Sequence, residues 1–182
     1  MTAPRLLDAV TLRHFGITEH LAALEHVLSA YPFPYWTDAV RSEILAGIGQ
    51  PDCDNVLAAS FLGVPHQIPT TELAEVMKIR IALSDGKSPS AEHLGEAESI
   101  FLADKFNGAF ITDDRAAYDL AGRRLGHCRV LDTVDLLRET VVTGYFKSSE
   151  AQQVADAIRN SGRKLRRGHP STFTPEYFEP EF

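Results

Sequence analysis

Short apolar runs of strand length alternate along the chain with longer segments in which apolar residues recur at helical intervals. Alternating strands and helices predict a parallel sheet whose strands are joined by right-handed crossovers. The predicted strands are 6–7, 35–36, 64–68, 109–112 and 128–131. The predicted helices lie after Thr18, after Thr37, at 55–62, at 72–83, after Glu96, at 115–125 and after Asp132. This pattern favours an α/β fold.

Capping and turn residues indicate where several of these elements begin or end. Thr18 is suited to be the N-cap of the first amphipathic helix. Asn107-Gly108 is typical of a helix C-cap, and the Gly, Ser and Pro residues at 84–90 predict a turn or loop. Helical spacing assigns Ile48 and Leu73 to the buried faces of their helices.

Acidic residues collect on both sides of the predicted strand 109–112. Glu96 and Glu98 lie at the beginning of the helix before it, and Asp113 and Asp114 follow the strand directly. The carboxyl ends of parallel strands form one edge of the sheet, and this edge is where sites are built in open α/β folds. We therefore expect a functional site at the end of this strand.

Two further acids, distant in sequence, are expected at the same edge. Asp8 follows the strand 6–7, and Glu43 lies near the start of the helix opened by Thr37. Hard divalent cations prefer oxygen ligands, and crowded carboxylates without a cation raise one another's pKa values. The pattern therefore predicts a site for Mg²⁺ or Mn²⁺.

Each acid also has an ordinary structural role. Asp8 is suited to cap the helix that follows it, and one of Asp113 and Asp114 is suited to cap the next. The remaining acids are exposed helix residues by default: Glu43, Glu96 and Glu98. Because Glu96 and Glu98 are two residues apart, they do not share a helix face, and only one of them is expected at the site.

Composition limits the class of protein. At 182 residues with 44% hydrophobic residues, the chain is long enough for one α/β domain with a sizeable core. The net charge of -7 argues against a protein that coats nucleic acid through its overall charge, although a local basic strip is compatible with it. Cys53 and Cys128 are expected to be reduced, packed thiols, with an oxidised pair as the alternative. Residues 1–5 lack the apolar region of a signal peptide and no segment resembles a membrane span, so we expect a cytoplasmic protein.

Basic residues suited to contact a nucleic-acid backbone lie in two segments. One group follows the acidic turn and the other lies in the tail: Arg115, Arg123 and Arg124, and Arg159, Arg163, Lys164, Arg166 and Arg167. Either group binds phosphates or is an ordinary solvated surface. The tail also carries aromatic residues that either stack on bases or pack on the protein itself: Phe173, Tyr177, Phe178 and Phe182.

Motifs for other chemistries are missing from the sequence. There is no dinucleotide-binding or P-loop glycine motif, no nucleophile elbow and no H-E-x-x-H. The seven histidines, His14 among them, lack zinc-like spacing and are expected to be surface or packed residues.

Four short motifs, taken in order, resemble the PIN-domain family. They are Leu6-Leu7-Asp8, Val40-Arg41-Ser42-Glu43-Ile44, Gly95-Glu96-Ala97-Glu98 and Ile111-Thr112-Asp113-Asp114-Arg115. The last two motifs resemble a toxin-like branch of that family. The resemblance covers roughly residues 4–135, with one departure: Ala9 follows Asp8 where the family often has Thr or Ser.

The resemblance implies a three-layer α/β/α PIN-like fold with a central parallel sheet. It also implies a Mg²⁺- or Mn²⁺-dependent endoribonuclease acting on single-stranded or loop RNA, commonly the toxin of a toxin–antitoxin pair. Asp8, Glu96 and Asp114 are the implied metal ligands, and Glu43 completes the catalytic set as a ligand or as a base through water. Thr112 is the implied hydroxyl partner of Asp114. The implied partners are RNA, a protein antitoxin and a second copy of the chain.

We expect a PIN-like nuclease domain at 1–146 and a C-terminal helical appendage and tail at 147–182. Two other functions stay open. One is a non-catalytic PIN-like module that binds RNA or a protein partner, and the other is a nuclease that acts on DNA.

Overall fold

A computed structural model of the protein describes residues 3–84, 92–166 and 168–180. The chain forms a mixed α/β structure around a parallel sheet, which confirms the predicted α/β class and the parallel pairing. The three strands are β1 (Arg5–Leu7), β2 (Ala109–Ile111) and β3 (Val130–Leu131). The sheet order is β1-β2-β3, with Leu6 opposite Phe110 and Phe110 opposite Val130.

The helices of the described residues surround this sheet. They are α1 (Ala9–Ile17), α2 (Leu21–Leu28), α3 (Asp38–Ala46), α4 (Pro51–Ala58), α5 (Leu73–Leu83), α6 (Leu94–Lys105), α7 (Arg115–Leu125), α8 (Thr133–Val142) and α9 (Ser148–Asn160). Within the described ranges, no helix is both long enough and apolar enough to cross a membrane.

An extended segment continues the sheet pattern beyond β1. The Leu7 amide donates to the Tyr35 carbonyl at 2.8 Å, and the His66 amide donates to the Trp36 carbonyl at 3.0 Å. The predicted strand 35–36 therefore lies beside β1, whereas the predicted strand 64–68 is reduced to a single parallel bridge between Thr37 and His66.

Apolar side chains cover both faces of the sheet because consecutive strand residues point to opposite faces. On one face, Leu7 and Ile111 pack in a cluster with apolar residues of α1–α4, α8 and α9. On the other face, Leu6, Phe110 and Val130 pack with apolar residues of α5, α6 and α7. Because the three strands pair in parallel, their carboxyl ends lie at the same edge of the sheet.

The C-terminal segment belongs to the first of these clusters. Ala151, Val154 and Ile158 of α9 are buried there, together with Phe173 and Phe178 of the tail. The boundary at residue 146 stays a prediction, but the segment after it packs against the same apolar residues as β1 and β2.

Several local predictions were wrong. Thr18 is the C-cap of α1, because its hydroxyl donates back to the His14 carbonyl at 3.0 Å, and α2 begins only at Leu21. Ile48 lies beyond the end of α3 and Leu73 is the first residue of α5, and both are exposed. Cys128 is exposed in a 3₁₀ turn, although both cysteines are free thiols as expected. Of the predicted loop 84–90, only Ser84 lies within the described residues, where it caps α5.

Candidate functional site at the carboxyl edge of the sheet

Asp8 is the first residue after β1 and the N-cap of α1. One carboxylate oxygen accepts from the Thr11 amide at 2.6 Å, and the other accepts from the Thr112 hydroxyl at 2.5 Å. The side chain is buried, and burial raises the pKa of Asp8 from its ordinary 3.8 to about 7, although the hydrogen bonds from Thr112 and Thr11 act to lower it. Asp8 therefore caps the helix as the ordinary alternative predicts, and with a pKa of about 7 it exchanges its proton near neutral pH.

Thr112 connects Asp8 to Asp114. The Thr112 hydroxyl donates to Asp8 and accepts from the Asp114 amide at 3.1 Å. Asp114 is the N-cap of α7, since its Oδ1 accepts from the Ala117 amide at 2.8 Å. The predicted first and fourth acids are thus joined through one hydroxyl group at the end of β2.

Asp113 is satisfied by the protein, although its negative charge contributes to the raised pKa of Asp8. It accepts from the Thr133 hydroxyl, and it lies 3.1 Å from the Nδ1 atom of His14. Its other oxygen accepts from the Arg166 amide at 2.9 Å. With three partners, Asp113 is a buried structural acid, and Asp114 is the better placed of the two for a ligand.

Glu43 and Glu96 form a second pair, between α3 and the first turn of α6. Glu43 accepts from the Gly95 amide at 3.2 Å, and a Cβ atom at position 95 would lie 2.5 Å from the same Glu43 oxygen, so only glycine permits this approach. Burial, followed by the negative charge of Glu96, raises the pKa of Glu43 from its ordinary 4.5 to about 7.

Glu96 carries an unsatisfied buried atom. Its Oε1 lies 3.6 Å from the Nδ1 atom of His93, whereas its Oε2 is buried and has no hydrogen-bond partner in the described residues. Buried polar atoms are nearly always paired, so this oxygen needs an explanation. The pair lines an open cleft of about 400 Å³ with His93 and Glu92.

Glu98 has a different role from Glu96. Its Oε2 accepts from the Ala39 amide at 3.2 Å, in the first turn of α3, where a carboxylate also interacts favourably with the helix dipole. Burial raises the pKa of Glu98. Of the two glutamates, Glu96 lines the cleft with the unpaired oxygen, and Glu98 caps a neighbouring helix.

One contact connects the elements that carry the two groups of acids. Ser99 is one helical turn after Glu96, and its hydroxyl contacts the Leu7 carbonyl at 3.5 Å, next to Asp8. In the described ranges, however, no three Asp, Glu, His or Cys side chains lie close enough together to hold a metal ion. The acids fall into two groups: Glu43 with Glu96, and Asp8 with Asp114, whose backbone amide is linked to the Asp8 carboxylate through the Thr112 hydroxyl.

The basic tail contacts other acids. Arg163 pairs with Asp52, and Arg166 donates from Nε to Asp132 at 2.5 Å. His169 Nε2 lies 2.8 Å from the same oxygen of Asp132. Burial alone would raise the pKa of Asp132, but His169 and Arg166 hold it below its ordinary value. Much of the positive charge expected to bind phosphates is therefore used within the protein.

Other residues of the tail also contact the protein itself. Arg159 donates to the Pro170 and Ser171 carbonyls at 2.6 and 2.8 Å. Phe173 and Phe178 are buried, so they pack on the protein rather than present a surface for bases. The predicted contacts of Arg167 and Phe182 lie outside the described residues.

Sequence reasoning missed the buried network around His14. The His14 side chain is 1% exposed, and its Nδ1 lies 3.0 Å from the Thr133 hydroxyl as well as near Asp113. A signal was present, because Asp8, Thr11 and His14 recur every three residues along α1, where Arg13 is the one other polar residue. Three polar residues on one buried helix face indicate a polar network rather than scattered surface residues.

We compared the chain with protein-family models, with curated proteins and with solved structures, and found no significant match. The resemblance to the PIN-domain family therefore stays a prediction from the four sequence motifs.

Proposed function

We propose that the protein is a metal-dependent endoribonuclease with a three-layer PIN-like fold, which cleaves single-stranded or loop RNA as the toxin of a toxin–antitoxin pair. The observation that carries the proposal is the buried, unpartnered Oε2 of Glu96 beside Glu43. A buried carboxylate oxygen without a donor, next to a second carboxylate, is the environment that a cation stabilises.

The donor set suits Mg²⁺ or Mn²⁺. Glu96 offers its unpaired oxygen, and Asp114 uses only Oδ1 for hydrogen bonding among the described residues. Asp8 has both oxygens hydrogen-bonded, yet each carboxylate oxygen has a second lone pair. The resemblance implies Asp8, Glu96 and Asp114 as ligands, but Mg²⁺ typically uses one or two carboxylates and keeps several waters, so in the arrangement described one acidic pair with waters would hold the ion.

When bound, the ion would orient and acidify a water and stabilise negative charge on the phosphate. Glu43 is suited to accept a proton from such a water, because a carboxyl with a pKa of about 7 exchanges a proton readily at neutral pH. Thr112 links the Asp8 carboxylate to the backbone amide of Asp114 through its two hydrogen bonds. The protein contributes placement and proton transfer.

The test is cleavage of a mixed-sequence single-stranded RNA and of matching DNA in Mg²⁺, Mn²⁺ or EDTA. We expect cleavage of RNA that requires metal and is lost in Glu96→Gln and in Asp8→Asn. The matched control is Asp119→Asn, an exposed acid of α7, which should cleave as the parent protein does. Metal-dependent cleavage that survives in Glu96→Gln would refute this site. Cleavage of DNA in preference to RNA would refute the proposed substrate.

A second function, a non-catalytic PIN-like module that binds RNA or a protein partner, is favoured by a different observation. Among the described residues the acids do not form a group of three around one point, and Asp113 and Glu98 are satisfied by the protein itself. For such a module we expect no effect of Mn²⁺ on thermal stability, in the parent protein or in Glu96→Gln. A rise in melting temperature that requires Glu96 would contradict the module and support the nuclease. The protein antitoxin and a homodimer are further proposals, which co-purification and sedimentation would test.

A further inference from the structure

A separate cleft opens on the other side of Asp114, between the start of α7, the face of α1 that carries His14, and the tail segment 162–165. We call it the His14 cleft. It has a volume of about 420 Å³, and the residues that matter here are His14, Asp113, Asp114, Arg115, Arg163 and Lys164. Neither Glu43 nor Glu96 lines it.

The rim of the His14 cleft carries positive charge that the protein does not fully neutralise. Arg115 is exposed and reaches Asp119 only at 3.7 Å, a distance at which an exposed pair contributes little. Lys164 is exposed and forms no ion pair within the described parts of the chain. Arg163 is the exception, since it pairs with Asp52. Two of the three cations are therefore available to an anion.

Two acids also line the cleft, and both accept hydrogen bonds from the protein itself. Asp113 is saturated by the Thr133 hydroxyl, the Arg166 amide and the His14 ring. Asp114 caps α7 with one carboxylate oxygen, and its backbone amide donates to the Thr112 hydroxyl. An anion in the cleft would thus meet Arg115 and Lys164 at the rim.

His14 provides a built polar contact at the base of the cleft. Its side chain is almost completely buried, and its Nδ1 is held by Asp113 and Thr133 at 3.1 and 3.0 Å. Its other ring nitrogen, Nε2, has no hydrogen-bond partner among the described residues, and the residue lines the cleft. Because Nδ1 donates its proton to Asp113, Nε2 donates a hydrogen bond to an oxyanion when the ring carries a proton on both nitrogens.

We propose that the His14 cleft binds a backbone phosphate of single-stranded RNA, with Lys164 and Arg115 at the rim and His14 Nε2 at the base. This inference rests on the proposed function and extends it, because it names the surface that holds the strand next to the acids. Asp114 borders the cleft and is linked through Thr112 to Asp8. A phosphate in the cleft would therefore lie on the same strand as the phosphodiester at the acidic pairs.

Binding is measured in EDTA, so that no cleavage can occur, by fluorescence anisotropy of a labelled single-stranded RNA. We expect Lys164→Ala to weaken binding about 5-fold and to lower the salt dependence, the slope of log K against log salt, by about 0.7. The matched control is Lys78→Ala, an exposed lysine on α5, which contributes no residue to the cleft and should leave affinity and slope unchanged. Lys164 is exposed, so its truncation should not prevent folding.

Two substitutions of His14 separate a phosphate contact from a purely structural role. His14→Asn keeps an amide nitrogen near the position of Nδ1 and removes Nε2, whereas His14→Gln places an amide nitrogen near Nε2 and removes Nδ1. If His14 contacts phosphate, Asn should bind RNA more weakly than Gln. If His14 only supports Asp113 and Thr133, Gln should be the more damaging variant. Circular dichroism and thermal unfolding of both variants verify that they are folded.

Unchanged affinity and slope in both Lys164→Ala and His14→Asn would overturn the proposal. Equal binding of matching DNA, with the same losses, would overturn the assignment of RNA. Complete displacement of RNA by micromolar inorganic phosphate would replace the strand with free phosphate as the ligand. Because this assay involves no cleavage, a protein that binds through His14 and Lys164 but cleaves nothing in any metal would refute the nuclease and leave the cleft in place.

Discussion

Replacement of Asp8 by Asn should stabilise the protein, and the gain should grow with pH. Asp8 is 2% exposed and accepts hydrogen bonds from Thr11 and Thr112. Burial raises its pKa to about 7 in spite of those bonds, so the folded protein prefers the uncharged acid. Asn resembles that acid in shape, and its amide can donate to the Thr112 oxygen where the protonated acid would.

The direction of this pH dependence follows from the higher pKa of Asp8 in the folded state. The unfolded chain releases the Asp8 proton near pH 3.8, and the folded protein releases it near pH 7, so the stability of the parent protein is greatest below pH 4 and falls as pH rises to 7. A rise of about 3 in pKa corresponds to roughly 4 kcal/mol over the full range. Between pH 5 and pH 8 the parent protein should lose about 3 kcal/mol relative to Asp8→Asn.

The assay is urea unfolding of both proteins in EDTA at pH 5, 6, 7 and 8, followed by circular dichroism. The quantity of interest is the difference in unfolding free energy between the two proteins at each pH, because contributions from all other titrating groups cancel in it. Asp119→Asn is the control, since this acid is exposed on α7 and its replacement should give a difference that does not change with pH.

A difference between parent and Asp8→Asn that stays constant from pH 5 to pH 8 would refute the reasoning. It would mean that the hydrogen bonds from Thr11 and Thr112 compensate the charged carboxylate fully. The same experiment in Mn²⁺ adds a second condition. If Asp8 binds the ion, the parent protein should regain stability at pH 8, and Asp8→Asn should gain much less.

Two other substitutions test the packing around the site. Arg166→Ala should lower the unfolding free energy by about 3 kcal/mol in urea titrations, because it removes the arginine that pairs with the fully buried Asp132. The control is Arg123→Ala, at an exposed residue. Equal stability of the two variants would contradict the role of the Arg166–Asp132 pair. Gly16→Ala should lower the unfolding free energy by about 2 kcal/mol and reduce the melting temperature, because the alanine Cβ would lie 2.3 Å from the backbone oxygen of Asp52. An unchanged melting curve would show that α1 and α4 can separate without loss of stability.

Features that depend on short stretches of sequence were predictable. Thr37 and Asp132 cap α3 and α8 as their residue types indicate, and the two strand residues before Asp8 and the strand before Asp113 were placed correctly. These features follow from local propensity and from apolar periodicity. Leu73 and Ile48 show the limit of periodicity, because each continues an apolar stripe at a helix end, where the core no longer covers it.

Features that depend on contacts across the chain were not predictable. The sequence brings Asp113 and Asp114 to the end of β2, but their different roles depend on Thr133 and Arg166, which are distant in sequence. The same holds for His14, whose partners lie on other elements. The basic tail gives no local sign that its arginines pair with buried acids rather than with phosphates.

The acids at the carboxyl edge differ in what compensates their charge, and this difference supports a cation as the missing partner. Asp52 and Asp132 are paired with arginines, at the positions where the tail crosses the edge. Asp8, Glu43 and Glu96 form no ion pair with lysine or arginine in the described residues, and burial raises the pKa of the first two to about 7. Buried carboxylates without a fixed cation are costly, so a protein that uses arginine at two acids and leaves three neighbours without one must offset that cost in another way. Proton uptake near neutral pH is one such way, and a divalent cation that displaces those protons is the other. The two alternatives are distinguished by proton release, since Mn²⁺ added to the unbuffered protein at pH 7 should acidify the solution only if the ion replaces protons on these acids.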